Sequence, residues 1–247
     1  MSLFAIGDLH LHFSSECRAP MQRTDPLWKN HTQKLRANCQ RLLKEDDTLV
    51  LVGDHSWGKN LAQCAPDFDY IQSLPGKKVL LRGNHDRFWE VSKTERLNET
   101  FAGKLFFLQN NYYPYGDYAL VGSMGFSFEG PFYLNRKGQI VDWDRAAEAE
   151  AERRISRELE RLRISLEAAR ADGYHRLILF LHYPPTNILE RRSAFTDLAE
   201  EYGVHQVVYA HTHGEARFHN SIEGSFRCID YSLVSGDYLR WTPKRIL

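Results

Sequence analysis

The stretch Val79-Leu80-Leu81-Arg82-Gly83-Asn84-His85-Asp86 decides the fold. Three apolar residues running into turn formers read as a buried strand. Gly83 permits a tight turn with close backbone approach, and the three residues after it offer an amide oxygen, an imidazole and a carboxylate. Such a set can bind a metal ion, transfer a proton and orient the group that transfers it. In open α/β sheets, ligands sit beyond the carboxyl ends of the strands, so a polar cluster at a strand end is where a site belongs. Taken alone, Asn-His-Asp is equally compatible with a turn that holds a satisfied histidine. Other strand ends decide between the two readings.

Toward the N-terminus the pattern recurs twice. The apolar run at residues 3–6 ends at Gly7-Asp8-Leu9-His10, and the run at 48–52 ends at Gly53-Asp54. Alternate residues of extended backbone point to one side, so Asp8 and His10 can close on one ion, with His12 left as a pocket-lining candidate. Amphipathic helices are predicted at 31–44 and 59–74, which makes this half a right-handed βαβαβ unit. Residues 14–30 read as a loop in which Arg18, Arg23 and Lys29 could reach a phosphate.

Toward the C-terminus, a helix end at 96–101 precedes shorter strands at 104–108, 118–121 and 126–128, which suggest mixed pairing. A long charged helix over about 142–172 follows, capped by Asp142 or Asp144 and stopped by Gly173, with Ile155, Leu159, Leu162, Leu166 and Ala169 on one stripe. At ~1.5 Å per residue it would extend roughly 45 Å, and it reads as a helix packed on a sheet with a solvated outer face. A strand at 177–181 ends at His182, a helix lies around 194–202, and a strand at 207–210 ends at His211-Thr212-His213. Segments 226–229 and 238–241 read as closing antiparallel strands. The chain has no P-loop, G-x-S-x-G elbow or G-x-G-x-x-G.

The 247 residues are 43% hydrophobic, enough to bury a full core, and one domain over 1–247 is expected. Lys plus Arg and Asp plus Glu both number 32, so no global field draws nucleic acid or an anionic membrane. Cys17, Cys39, Cys64 and Cys228 are widely spaced with no C-x-x-C pair, which argues for reduced thiols in the cytoplasm. No charged-then-apolar leader precedes the first strand, and no apolar run approaches the ~20 residues that span a bilayer. Oligomeric state is not legible.

Collected from five strand ends, Asp8, His10, Asp54, Asn84, His85, His182, His211 and His213 are all oxygen or imidazole donors. Their number and type suit two divalent cations, with a carboxylate such as Asp54 able to bridge them. The series D-x-H, G-D, G-N-H-D, H and H-x-H, in this order across nearly the whole chain, resembles the calcineurin-like metallophosphoesterase superfamily. Ser56-Trp57, Leu74-Pro75-Gly76 and His182-Tyr183-Pro184-Pro185 are similar to a compact bacterial branch of predicted phosphohydrolases. The resemblance implies an α/β four-layer α-β-β-α sandwich of two mixed β-sheets flanked by helices. It implies one metal on Asp8, His10, Asp54 and His213 and another on Asp54, Asn84, His182 and His211, the ions being Mn, Fe or Zn. His85 would serve as the acid for the leaving oxygen, oriented by Asp86. The implied activity is hydrolysis of phosphomonoesters or phosphodiesters by in-line attack of a metal-bridging hydroxide, on a small-molecule substrate. The rival readings are a metal-dependent nuclease, which the neutral charge disfavours, and a non-catalytic interaction scaffold, which the retained His85 disfavours. Three positions depart from the pattern or lack a role: Ala210 in place of the usual glycine, His55 after Asp54, and His12. Which loops bearing Arg18, Arg87 and Arg136 cover the metals is left open.

Overall fold

Alternation along each strand sorts side chains onto two faces, and this builds the layers. The computed structural model of the protein describes residues 1–14, 26–127, 132–134, 140–143, 145–186 and 191–247. In the first sheet β1 (Leu3–Ile6), β2 (Thr48–Val52), β3 (Lys77–Leu81) and β4 (Leu105–Leu108) are parallel neighbours, with a short antiparallel β13 (Lys244–Arg245) beside β1. The second sheet has a parallel centre of β6 (Tyr118–Ser123), β9 (Arg176–Leu181), β10 (Gln206–Tyr209) and β12 (Ile229–Leu233). Its antiparallel edges are β5 (Tyr112–Tyr115) and β11 (Gly224–Phe226). A two-stranded ribbon, β7 (Phe132–Leu134) with β8 (Ile140–Trp143), stands apart from both sheets.

The two sheets pack face to face. Ala5, Val50, Val52, Val79 and Leu81 of the first meet Leu120, Ile178, Phe180, Val208 and Ala210 of the second in one buried cluster. On the outer face of the first sheet, Leu49, Leu51, Leu80 and Phe107 lie under α1 (His31–Leu42), α2 (Leu61–Gln72) and α3 (Thr94–Thr100). On the outer face of the second, Val121, Leu179 and Val207 lie under Leu162, Leu166 and Ala169 of α4 (Arg145–Ala171) and Phe195 and Leu198 of α5 (Ala194–Glu201). At about 1.5–3 kcal/mol per fully buried aliphatic or aromatic side chain, these three apolar layers supply the dominant driving force. The result is the four-layer α-β-β-α sandwich of two mixed sheets. No helix of the described residues is long and apolar enough to cross a membrane.

The second half departs from the sequence reading at four places. β5 contains Pro114, which reads as a breaker, but β5 is the edge strand of its sheet, where a missing N–H costs no ladder bond. Residues 126–127 are not strand: β6 stops at Ser123 and Gly125 turns the chain at φ 68. Phe128 lies outside the described residues. Asp142 belongs to β8 and α4 starts at Arg145, so Asp142 is not the helix cap. Residues 238–241 form a turn, because Arg240 and Trp241 take φ 48 and 63, which a strand cannot accommodate. Segment 226–229 does belong to an antiparallel pair: Phe226 ends β11 and Ile229 opens β12, with Arg227 and Cys228 as the turn between them.

Candidate metal centre

The ends of β1, β2, β3, β9 and β10 converge because the sheets are clasped at this edge. Gly7 N–H donates to the Val234 carbonyl at 2.7 Å, and His211 N–H donates to Asp8 Oδ2 at 2.9 Å. A Cβ on Gly7 would lie 2.5 Å from the Ala210 methyl, so Gly7 makes the room that Ala210 needs in place of the usual glycine. Asp8, His10, Asp54 and His211 all adopt left-handed backbone, at φ 59, 44, 53 and 68. Each costs of order 1–3 kcal/mol, and such strain persists only where surrounding contacts enforce it.

Two groups of ligand atoms result. Asp8, His10 and His213 form one and Asp54, His182 and His211 the other, with the atoms of each group within 4.8 Å of one another. Asp54 lies between them: its Oδ1 accepts from His85 N–H at 2.8 Å, while Oδ2 faces His182 Nε2 at 3.5 Å, His10 Nε2 at 3.7 Å and His85 Nε2 at 4.0 Å. Asn84 joins the second group, its Oδ1 lying 2.8 Å from His182 Nε2.

The residues fit cations. His182 Nδ1 lies 3.1 Å from the Val52 carbonyl, which can only accept, so Nδ1 carries the proton and Nε2 presents a lone pair. That lone pair faces Asn84 Oδ1, Asp54 Oδ2 and, at 3.2 Å, His211 Nδ1. A lone pair set against a carboxylate oxygen and an amide oxygen, both of which only accept, is accommodated by a cation. Asp8 Oδ1 and His10 Nδ1 are likewise buried with no hydrogen-bond partner. Mixed imidazole, carboxylate and amide donors suit borderline transition metals.

Electrostatics agree. Burial pushes the Asp8 carboxyl up to about 6 against the nearby His213 and His182. Burial also pushes His10 down to about 3 and, helped by the charge of His182, His211 down to about 2. For Asp54 burial works upward, but the facing His182, His10 and His85 outweigh it and hold the carboxyl below the usual range. Burial disfavours the charged His182 ring, yet Asp54 and Asp8 raise it to about 9. Without a cation, a proton sits where a cation would.

The remaining predicted residues fall apart by role. His85 is 35% exposed on its side chain, lies beside Trp57 at 4.6 Å between ring centroids, and is reachable from solvent. Asp86, expected to orient it, instead accepts backbone N–H bonds from Gly83 at 2.8 Å, Asp54 at 3.0 Å and His55 at 2.8 Å. Its carboxylate is fully buried and ties the loop after β2 to the loop after β3; no hydrogen bond joins it to the His85 ring among the described residues. His55 Nε2 meets the Leu81 carbonyl at 2.8 Å and braces the same two loops. His12 interacts electrostatically with His31 and Asp67, outside both ligand groups. Arg87 is exposed, Lys29 is exposed, and Arg18, Arg23 and Arg136 lie outside the described residues.

Asp237 was not singled out by the sequence reading. Its Oδ1 lies 3.1 Å from His213 Nδ1, which holds that ring with Nε2 toward the site and, with Asp8, raises it against the effect of burial. The signal was present: β12 is followed by Ser235-Gly236-Asp237, another strand, glycine and aspartate, concealed by the misplaced strand boundary. Trp57, stacked on His10 at 5.0 Å, and Tyr183, packed on His211 at 4.1 Å, carried no periodic signal.

Two mixed sheets thus bring two groups of candidate metal ligands together at one edge. The chain belongs to the calcineurin-like phosphoesterase family, whose model matches residues 1–215. Among solved structures, the chain is similar to the phosphopantetheinyl hydrolase of Mycobacterium tuberculosis at 15% identity and TM-score 0.56, covering 100% of this chain and 95% of that one. A protein of unknown function from Aquifex aeolicus matches at 14% identity and TM-score 0.48, over 99% of this chain and 95% of that one. A 5'-nucleotidase precursor from Thermus thermophilus matches at 15% identity and TM-score 0.42, over 92% of this chain and 43% of that one. No curated protein matches significantly.

Proposed function

We propose that this protein is a metal-dependent phosphohydrolase that cleaves a small-molecule phosphomonoester or phosphodiester. Two divalent or transition-metal ions, Mn, Fe or Zn, would be held by Asp8, His10, Asp54 and His213 and by Asp54, Asn84, His182 and His211. The observation that carries the reading is the position of Asp54 Oδ2, which faces His182 of one ligand group at 3.5 Å and His10 of the other at 3.7 Å. When bound, the ions neutralise phosphate oxygens and acidify water toward neutrality. The chain does the rest. Asp54 keeps the two ligand groups in register, Asp237 and the Val52 carbonyl fix the tautomers of His213 and His182, and Trp57 walls off His10 on its stacked face. His85, held by its backbone N–H on Asp54, is free to present its ring to a departing oxygen and give it a proton.

Elemental analysis of purified protein should find up to two transition-metal ions, and chelation should abolish hydrolysis of 4-nitrophenyl phosphate or its bis ester, with Mn²⁺ restoring it. Full activity in protein shown to be metal-free would overturn the proposal.

A further inference from the structure

Asn84 has two sides. One meets His182; the other lines a cavity of about 200 Å³ that it shares with Arg154, Arg157 and Glu158 of α4 and with Tyr183, which packs on His211. Three arginines reach this cavity: Arg82 from the loop after β3, and Arg154 and Arg157 from α4. Two of them are oriented. Arg82 donates from Nε to the Trp89 carbonyl at 2.8 Å and from Nη1 to the Met124 sulfur at 3.1 Å, and Arg154 lies over the Phe126 ring at 5.4 Å. Arg154 also reaches Glu150, an exposed pair of the kind that is readily exchanged for a ligand. Opposing them is Glu158, 1% exposed, whose Oε1 is engaged by Arg161 and whose Oε2 is buried with no partner. An orphaned buried carboxylate oxygen among cationic side chains marks a place for a polar ligand that brings a donor of its own.

We propose that this cavity is a second subsite, in which Arg154 and Arg157, with Arg82, hold a second phosphate group on the non-scissile part of the substrate. A hydroxyl of that phosphate, or of the group carrying it, supplies the donor that Glu158 Oε2 lacks. Guanidinium forks match phosphate oxygens geometrically, and the cavity lining carries three arginines, of which Arg154 is paired with exposed Glu150, against one carboxylate, Glu158, that Arg161 already engages, so the ligand it suits is an anion. The substrate class becomes a phosphoester that bears a further phosphate. This rests on the hydrolase reading for what happens at the metals, but the subsite is testable without it.

The test is titration of inorganic phosphate into chelator-treated protein, where the anion has no metal to bind. Arg154→Ala with Arg157→Ala, both at exposed positions of α4 where alanine is the best helix former, should weaken binding at least tenfold. Arg153→Ala, exposed on the same helix and outside the cavity, should leave it unchanged. With Mn²⁺ restored, kcat/KM for a bisphosphate relative to 4-nitrophenyl phosphate should fall at least tenfold in the double variant, through KM. Equal phosphate affinity in wild type and double variant, or equal loss in Arg153→Ala, would refute the subsite. If wild type hydrolyses neither compound, the hydrolase reading fails while the titration still decides the subsite.

Discussion

At the residue scale, Asn84 and His85 are neighbours that face different tasks. Asn84 Oδ1 sits 2.8 Å from His182 Nε2, inside the ligand ring, whereas His85 stands at the mouth with its ring 4.0 Å from Asp54 Oδ2. The phenotypes should therefore split. His85→Asn should keep metal content near wild type and lower kcat by roughly 10² to 10⁴, the usual contribution of a positioned acid. The deficit should shrink for nitrophenolate, which leaves without a proton. Asp54→Asn should lose metal and activity together. Loss of one metal in His85→Asn, or equal slowing of good and poor leaving groups, would make His85 a ligand or binding residue.

At the element scale, the loops after β2 and β3 are held together by a fully buried carboxylate. Both oxygens of Asp86 accept from backbone N–H groups, so Asp86→Asn turns an NH₂ group toward at least one of these donors. Leaving buried donors unsatisfied costs about 1–3 kcal/mol, more where a charge was involved. The expected result is a drop in stability of about 2–4 kcal/mol with weaker metal retention, and a rate deficit that does not depend on the leaving group. That last readout separates Asp86 from His85; a leaving-group-dependent loss would restore Asp86 as a partner of the ring. Gly83 belongs to the same brace, since a Cβ there would lie 2.2 Å from both the backbone N and Oδ1 of Asp54.

At the scale of the whole molecule, the site sets the pH dependence of stability. His31, pushed down to about 4 by burial against the upward pull of its contacts with the Leu9 and Trp28 carbonyls, stays neutral in the fold while the unfolded chain takes a proton below its ordinary 6.5. His10 and His211, at about 3 and 2, act in the same direction. Each subtracts up to ~1.4 kcal/mol per pH unit as pH falls below 6.5. Asp8, raised to about 6, opposes this by one proton between 3.8 and 6. His182, raised to about 9, acts on the other side: its contribution is complete below 6.5 and is lost as pH rises through 9. Chelated protein should thus be most stable near pH 6.5 in denaturant titrations. Added Mn²⁺, which displaces the His182 proton, should stabilise increasingly from pH 6 to 9. A stabilisation by metal that is flat over that range would contradict imidazole ligation.

The positions of Asp8, His10, Asp54, Asn84, His182, His211 and His213 were legible in the sequence because each follows an apolar run that can only be a buried strand. Parallel strands in a sandwich carry such residues to one edge. The layer order was legible only through the family resemblance. What the tertiary structure decided rests on distance between segments remote in sequence. Asp86 accepts from the backbone of Asp54, thirty-two positions away. Pro114 is allowed in a strand because β5 is an edge, which no local pattern states. Arg154 and Glu158 read as part of an ordinary charged helix, and only the packing of α4 beside Asn84 makes them the wall of a cavity. Local chemistry fixes which side chains can bind and where strands end; which groups share one small volume is settled by packing, and packing is a property of the folded chain.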